Sequence, residues 1–345
     1  MRRLFMKTLA ASLVTTATLG FSSMAFAQDA ATFYAGKTIK WIIPYKPGGG
    51  YDEYSRGIIP YFEKYTGAKV ELENVPGAGG MKGANEIFNA PADGLTVGII
   101  NGSAMVTAEL SGIEGASFKV ADYSYLGRMV ADLRVLVVGT NSPFKTYEDL
   151  QNSSRDVVVG ATGLGGSTYV DAVLTGPALG IEQKVVHGFD NSGDVRQAML
   201  RGDVDAMWGS LGSAIQGVQD GEHVIVVQSD RKRSMLVPDV PSIFDFVDAA
   251  VNTAAIMPMM EAWDALNAVG RPVAGPPGIP EDRLTFLQSS FEKAMSDPEF
   301  VDMMTKAERE LSYLNGADTK KVAKSSTQMT DDVKGKVVAA IKGEI

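Results

Sequence analysis

Three glycine-rich loops are the parts of this sequence best suited to chemistry. They cover residues 47–52, 76–80 and 163–167, and each falls between a predicted strand and a predicted helix. The free N–H groups and the positive dipole end at a helix start attract anions, and glycine lets a bound group come close to the backbone. Such loops can hold an anion without lysine or arginine.

The loops do not match the known nucleotide-binding patterns. G-x-G-x-x-G requires glycine or alanine in sixth place, but counting from Gly77 and Gly163 that place holds Lys82 and Thr168. No loop carries the Gly-Lys-Ser/Thr of a Walker motif. A single glycine loop can also be an ordinary tight turn. Three loops at equivalent strand ends favour a site for a small anion.

Composition argues against most catalytic chemistry. The 345 residues include no cysteine and two histidines, His187 and His223, without metal-ligand spacing, so thiol catalysis, disulfides and Cys-ligated metals are excluded. No G-x-S-x-G motif is present. The net charge of −9 disfavours nucleic-acid binding. We therefore expect a non-catalytic protein without metal or cofactor, whose histidines are structural or exposed.

Short apolar strands alternate with amphipathic helices along the chain, which is typical of a parallel sheet covered by helices. The pattern runs through residues 39–100 and restarts near Arg134. It predicts an α/β protein of two lobes, each a mostly parallel sheet flanked by helices, joined by crossings near Arg134 and Ser229. The predicted division is 28–133 plus 229–345 for the first lobe and 134–228 for the second.

The sequence predicts a particular feature in each of two helical segments. The helix after the first glycine loop contains Gly57 and Pro60, and because an interior proline costs about 3 kcal/mol we expect a kink or a break there. The apolar pattern over residues 318–342 predicts a C-terminal helix that packs back on an earlier domain.

Residues 1–27 have the features of a secretory signal peptide. A basic start with Arg2, Arg3 and Lys7 precedes an apolar stretch, and Ala25 and Ala27 give a small-x-small cleavage pattern. The apolar stretch is shorter than the roughly 20 residues that span a bilayer. We expect cleavage before Gln28 and a soluble periplasmic protein.

The sequence resembles the Bug, or TctC-like, family of periplasmic solute-binding proteins of tripartite tricarboxylate transporters. The resemblance covers essentially the whole chain, and its motifs lie in both predicted lobes. The matching residues are Ile42-Ile43-Pro44-Tyr45, Pro47-Gly48-Gly49-Gly50, Asp52, Glu73-Asn74, Pro76-Gly77-Ala78-Gly79-Gly80, Ala84, Pro91, Asp93-Gly94, Gly202-Asp203-Val204-Asp205, Lys232-Arg233-Ser234, Pro238-Asp239-Val240-Pro241 and Ala274-Gly275-Pro276-Pro277-Gly278-Ile279-Pro280.

This resemblance implies two lobes around a cleft that closes on its ligand, as in a Venus flytrap. It implies carboxylate ligands, with the first two glycine loops holding one carboxylate through backbone N–H groups and water. The residues it places in the site are Gly48, Gly49, Asp52, Gly79, Gly80 and Ser103 from the first lobe and Thr162, Gly166, Ser167, Phe189 and Asp205 from the second.

Several aromatic and charged residues depart from the family pattern or remain open. Tyr45 and Tyr51 are expected in the site, whereas core packing is favoured for Tyr54 and Trp208. Tyr169 could serve either role. Lys46 and Tyr51 replace a small or apolar residue and a Thr or Ser. Asp190 stands where a basic residue is common; it either favours an amino group of the ligand or points to solvent.

The function expected from the resemblance is the capture of an organic carboxylate and its delivery to membrane permease subunits of a tripartite tricarboxylate transporter. The protein is expected to act as a monomer without nucleic acid. Two alternatives remain open: a ligand-presenting partner of a membrane sensor kinase, which would have the same fold and site, and a binder of a zwitterionic amino acid.

Overall fold

A computed structural model describes residues 29–163, 165–250, 252–342 and 344 of the chain. The signal peptide predicted over residues 1–27 lies outside the described residues. No helix within the described ranges is long and apolar enough to cross a membrane.

The described residues form two mixed β-sheets flanked by helices. The strands are β1 (Thr38–Ile43), β2 (Lys69–Asn74), β3 (Thr96–Ile99), β4 (Ser124–Arg128), β5 (Arg134–Gly139), β6 (Val157–Thr162), β7 (Gln183–Phe189), β8 (Ala206–Ser210), β9 (His223–Gln228), β10 (Pro272–Gly275) and β11 (Leu314–Asn315). The helices are α1 (Ala30–Tyr34), α2 (Gly50–Thr66), α3 (Met81–Phe88), α4 (Gly102–Ser111), α5 (Tyr147–Gln151), α6 (Ser167–Leu179), α7 (Ser192–Arg201), α8 (Leu211–Gln219), α9 (Ile243–Ala249), α10 (Thr253–Val269), α11 (Glu281–Met295), α12 (Pro298–Lys306), α13 (Gly316–Ser325) and α14 (Asp331–Lys342).

The two sheets confirm a two-lobed α/β fold, but they are not mostly parallel. The first has the order β11-β4-β10-β3-β1-β2 and the second β7-β6-β8-β5-β9. Only β1 with β2 and β3, and β6 with β7 and β8, pair in parallel. The strands next to the crossings, β5 and β10, pair antiparallel with their neighbours. The strand–helix–strand pattern of the sequence predicts parallel strand pairs, and it gives no signal for the antiparallel pairs.

The two crossings between the lobes are hydrogen-bonded to each other. The backbone N–H of Arg134 donates to Ser229 Oγ and the N–H of Ser229 donates to the Arg134 carbonyl, both at 2.8 Å. The chain segments at these two points are therefore tied to each other.

Helix α2 runs without interruption from Gly50 to Thr66, so the expected break is wrong. Pro60 lies on its exposed side, where the carbonyl that loses its partner can bond to water. The opposite side of α2 packs against α11 over the first sheet, with Trp41, Phe62 and Phe291 fully buried between them. This packing fixes the first glycine loop at the start of α2.

The C-terminal segment forms two helices, α13 and α14, and α14 packs against both α4 and α6, although the predicted division gave residues 229–345 to the first lobe alone. The hydroxyl of Tyr169 on α6 donates to the carbonyl of Ile341 at 2.9 Å, and Val337 and Ile341 are buried. The expectation that the tail returns to an earlier domain is confirmed.

Candidate ligand-binding cleft

A small cavity lies between the lobes at the carboxyl ends of β1, β6 and β8. Ligands of open α/β sheets bind at this end of the strands. The lining residues are Tyr45, Gly49, Gly50, Tyr51, Arg134, Thr162, Ser167, Thr168, Asn191, Ser192, Gly209, Ser210, Ser213 and Arg271.

Three of the helices that start at this cavity have no side-chain cap. Helix α2 begins at Gly50, α6 at Ser167 and α8 at Leu211, and the residue before each makes no capping hydrogen bond through its side chain. In contrast, the Asn191 side chain caps α7. The N–H of Leu211, the first residue of α8, donates to the Leu133 carbonyl at 2.8 Å. Three positive dipole ends still lie around one space, which is a favourable environment for an anion.

Tyr45 connects the glycine loops across the cleft. Its hydroxyl donates to the Gly79 carbonyl at 2.8 Å and accepts from the Asn101 side-chain amide at 2.6 Å. The same amide donates to Ser167 Oγ of the second lobe at 3.1 Å. Burial raises the pKa of the Tyr45 hydroxyl, so Tyr45 stays neutral and keeps its proton for donation. The predicted residues Tyr45, Gly79 and Ser167 are thus brought together.

Two buried arginines at the hinge end of the cavity were missed by the sequence analysis. Arg134 and Arg271 are 3% and 2% exposed. Arg134 pairs with Asp171, its Nε and Nη2 lying 2.7 and 2.6 Å from Oδ2. Arg271 Nε donates to Asp132 Oδ1 at 2.9 Å. Although burial opposes the charged forms, Asp171 and Asp132 hold the pKa of Arg134 and Arg271 above the usual value.

A signal for these arginines was present in the sequence. Arg134 starts the apolar segment 134–138, and Arg271 lies just before the buried segment 272–275. Burying an unpaired charge is expensive, so an arginine in such a segment implies a buried partner or a ligand. The two residues are distant in sequence, which is why no spacing rule joined them.

Tyr51 lies in the cavity wall as expected. Its ring faces the Arg271 guanidinium at 4.7 Å, and its hydroxyl lies 3.5 Å from Asp132 Oδ2. Burial raises the pKa of this hydroxyl well above its ordinary value. Gly49 and Thr162 also line the cavity, and Gly166 is the residue before α6, in contact with Thr162.

Four of the expected first-lobe residues lie behind the residues that line the cavity and support them. Asp52 is buried and accepts hydrogen bonds from the N–H of Gly48 and from Arg56 and Asn74, so it holds the first loop. Gly80 packs on the Tyr45 ring. Ser103 Oγ donates to Asn101 Oδ1 at 3.2 Å. Gly48, Asp52, Gly80 and Ser103 do not line the cavity.

Asp205 does not reach the cleft. It precedes β8, whose opposite end carries Ser210 in the cavity wall. Its carboxylate binds Arg155 at 2.6 and 2.7 Å and the N–H of Val158 at 2.9 Å. Asp205 therefore lies at the far end of the second sheet, away from the cavity.

Phe189 also lies outside the cavity. It is half-buried at the end of β7 and packs against the apolar cluster of the second lobe. The residue that reaches the cavity from this segment is Asn191, two positions later. The register in this segment was uncertain from sequence, and the structure moves the lining position by two residues.

Asp190 and Lys46 form an ion pair across the mouth of the cleft. Lys46 Nζ lies 2.5 Å from Asp190 Oδ2, and both side chains are about half exposed. Neither residue lines the cavity. Asp190 is therefore paired with a residue of the first lobe and does not contact the cavity.

The other aromatic and histidine residues considered in the sequence do not line the cavity. Trp208 stacks edge-on against Trp263 in the core, and the Tyr54 hydroxyl donates to the carbonyl of Glu310 at 2.7 Å. His223 is buried with Nε2 2.7 Å from the Ala214 carbonyl, and burial lowers its pKa. His187 is exposed. Within the described ranges, no three His, Cys, Asp or Glu side chains form a metal site.

The comparison with known proteins identifies the family. The model of the tripartite tricarboxylate transporter family receptor, TctC, matches residues 56–337. The chain belongs to the TctC family. It is 24% identical over 275 residues to a Pseudomonas sp. (strain P51) relative described as a UPF0065 protein in the tcbD-tcbE intergenic region, covering 79% of this chain and 77% of the relative.

Solved structures of binding proteins share the fold of this TctC-family chain. The periplasmic binding protein BugD superposes with a TM-score of 0.73 at 17% identity, covering 90% of this chain and 98% of BugD. MatC from Rhodopseudomonas palustris, solved with bound malate, gives 0.69 at 20% identity, covering 88% and 99%. The matched family is a family of transporter receptors, so the chain is a binding protein and not an enzyme.

Proposed function

We propose that this TctC-family protein works outside the cytoplasm, binds a small organic carboxylate between its two lobes and delivers it to the membrane subunits of a tripartite tricarboxylate-type transporter. The observation that carries the proposal is the convergence of three uncapped helix N-termini on one interlobe cavity. Such N-termini stabilise negative charge without a mobile side chain.

The lobes are closed over this cavity in the structure. Asn101 of the first lobe donates to Ser167 Oγ of the second, and a Cβ added at Gly163 would lie 2.6 Å from the backbone nitrogen of Gly79. Because these contacts join the two lobes across the cavity, we expect the lobes to open for a ligand to enter. Binding is therefore a hinge motion in which the ligand is enclosed.

The chemistry of the cavity suits an anionic ligand such as a carboxylate. The donors are neutral hydroxyls, backbone N–H groups and two arginines whose charges are mostly balanced by Asp132 and Asp171. Arginine and backbone donors match the planar carboxylate group. MatC, with the same fold, was solved with malate, which is in keeping with this ligand class.

An uptake experiment tests the proposed role in cells. A bacterium that lacks this chain, but keeps its permease subunits, should lose uptake of one labelled carboxylate and regain it when the chain is supplied. The exported protein should have the mass expected for cleavage before Gln28. Unchanged uptake, together with loss of a carboxylate-dependent transcriptional response, would contradict transport and indicate the sensor-kinase alternative.

A further inference from the structure

Two loops from different lobes are joined at the mouth of the cleft. One loop follows β1 and contains Lys46 and Pro47, and the other follows β7 and contains Asp190 and Asn191. Lys46 Nζ lies 2.5 Å from Asp190 Oδ2, and the Asn191 side-chain amide donates to the Pro47 carbonyl at 3.3 Å. Consecutive residues of each loop are thus bonded across the gap between the lobes.

The backbones of the two loops also approach each other beside these contacts. A Cβ built on Gly49 would lie 3.4 Å from the Cβ of Asn191, and a Cβ built on Gly193 would lie 3.3 Å from the carbonyl oxygen of Gly48. An added methyl group would therefore touch the opposite loop at both positions. The mouth of the cleft is narrow here, between the first glycine loop and the start of α7.

Asn191 connects this mouth to the cavity behind it. Its side-chain oxygen accepts from the N–H of Asp194 at 2.9 Å and so caps α7, and Asn191 is also part of the cavity wall. Gly49, from the facing loop, lines the same cavity. A force that holds these two loops together therefore also holds two walls of the cavity together.

The ion pair of Lys46 and Asp190 differs in its place from the other ion pairs of the described ranges. Those pairs lie within one helix, within one lobe or at the crossings. The Lys46 ammonium is also attracted by Asp194 in the first turn of α7, so two acids of the second lobe act on it.

The pair also lies away from the crossings. In the second sheet, β7 is the edge strand furthest from β5, which begins at the first crossing. Since the chain joins the lobes at the crossings, we expect opening to be widest on the side of β7. Opening would then separate Lys46 from Asp190 and return both to water, so their attraction favours the closed state alone and shifts the population toward it.

We propose that Lys46 and Asp190 are positioning residues that form a latch on the closed cleft, and that this latch slows the release of the ligand without touching it. This inference rests on the proposed function. The sequence left an amino group of the ligand or solvent as the surroundings of Asp190, and the latch gives its carboxylate another role. Because both side chains are about half exposed, the attraction is modest and is screened by salt.

Charge variants at the two positions test the latch. Lys46→Gln and Asp190→Asn each remove one charge, and the double variant Lys46→Glu with Asp190→Lys restores a pair of opposite polarity. Lys306→Gln is the control, because Lys306 pairs with Asp302 at 2.6 Å on the exposed side of α12. Calorimetry of refolded, ligand-free protein with malate, citrate and glutamate selects the probe that binds most tightly. Stopped-flow fluorescence then measures the association and release rates of that probe.

Each single variant should release the probe about two- to fivefold faster than the wild type, the factor expected for a half-exposed ion pair. The association rate and the melting temperature should stay close to those of the wild type. The double reversal should recover most of the slow release, and Lys306→Gln should match the wild type. Equal release rates in the wild type and both single variants, or no recovery in the double reversal, would overturn the latch and leave the proposed function standing.

A distance measurement on ligand-free protein tests the latch independently of the proposed function. The chain has no native cysteine, so spin labels can be attached at Lys69→Cys and Lys184→Cys, which are exposed positions on the edge strands β2 and β7. Double electron–electron resonance should show long distances between the labels more often in Asp190→Asn than in the wild type. Identical distance distributions would overturn the latch. No binding of malate, citrate or glutamate would contradict the proposed function, and the distance distributions would then decide on the latch.

Discussion

At the scale of single residues, the site depends on charges that are buried and balanced. Asp132, on the first crossing, lies 2.9 Å from Arg271 and 3.9 Å from Arg134, and Asp171 binds Arg134 and the indole N–H of Trp263. A buried ion pair adds little net stability, but removal of one partner is expensive. These carboxylates therefore set the position of the arginines.

Asp132→Ala should lower the free energy of unfolding by about 3–5 kcal/mol, because Arg271 would be left with its charge buried and unpaired. Asp190→Ala is the comparison, since its ion pair with Lys46 is about half exposed and such pairs contribute about 0–1 kcal/mol. Urea denaturation measures both. Similar losses for the two variants would mean that the buried network is not held by Asp132.

Tyr51→Ala should weaken carboxylate binding about tenfold and leave the melting temperature within a few degrees of the wild type. The ring forms part of the cavity wall and lies on the Arg271 guanidinium, a contact of about 0.5–2 kcal/mol. Tyr51→Phe keeps the ring and loses only a long hydroxyl contact to Asp132, so its affinity should match that of the wild type. If both variants bind as the wild type does, Tyr51 is not part of the site.

The residue scale also shows where sequence reasoning reached its limit. Loops next to predicted helix starts could be identified, because glycine and helix caps act locally. Arg134 and Arg271 could not be joined, because their shared partner Asp132 is created by the chain crossing between lobes. Asp205 shows a related limit: the family motif identifies the residue, but not the end of β8 at which it lies.

At the scale of elements, the cleft forms where glycine loops of the two lobes come into backbone contact. The loop after β6 approaches the 3-10 turn Ala78–Gly80 so closely that a Cβ at Gly163 would lie 2.6 Å from Gly79 N. Both partners here are backbone atoms, which cannot move aside like a flexible side chain. The closed state of the lobes therefore requires glycine at position 163.

Gly163→Ala should hinder closure without unfolding either lobe, because the added methyl group meets only the opposite lobe in its close contacts. Affinity for the cognate carboxylate should fall at least about tenfold, and small-angle scattering should show no compaction when ligand is added. Gly335→Ala, which adds a methyl group in open space, should compact as the wild type does. Normal compaction of Gly163→Ala would mean that the two loops separate in the bound state.

At the scale of the whole molecule, the hinge combines two faces with different charge. The cleft face carries Arg134 and Arg271, whereas the opposite face has a cavity lined by Asp230, Asp264 and Glu310. Burial, together with repulsion from Asp230 and Asp132, raises the pKa of Glu310 to about 7. Burial also raises the pKa of Asp230 and Asp264. Acids whose pKa is raised by folding make stability depend on pH.

Glu310→Gln should stabilise the protein at pH 8 and have little effect at pH 4. The unfolded chain releases the Glu310 proton near pH 4.3, whereas the folded protein releases it near pH 7, so the free energy of unfolding falls as pH rises between these values. Melting temperature should rise by roughly 2–4 °C for each kcal/mol regained. Glu71→Gln, at an exposed position of β2, is the control. A pH-independent effect of Glu310→Gln would contradict a raised pKa.

The two-lobed plan could be predicted from the alternation of strands and helices and from the resemblance to TctC-like proteins. The antiparallel strands β5 and β10 could not, because their neighbours are set by the crossings and not by local pattern. Pro60 shows the reverse error: a local rule predicted a break, but packing of α2 against α11 keeps the helix continuous.

The most direct test of the central claim is calorimetric titration of the mature protein, refolded to remove any carried-over ligand, with di- and tricarboxylates, aromatic acids and amino acids. The structure predicts saturable one-to-one binding of one carboxylate class, and a melting temperature that rises with it, because a ligand at 100 times its Kd adds about 2.7 kcal/mol. Binding of a cation or an uncharged compound, with silence from every carboxylate, would contradict the account of an anion-binding cleft.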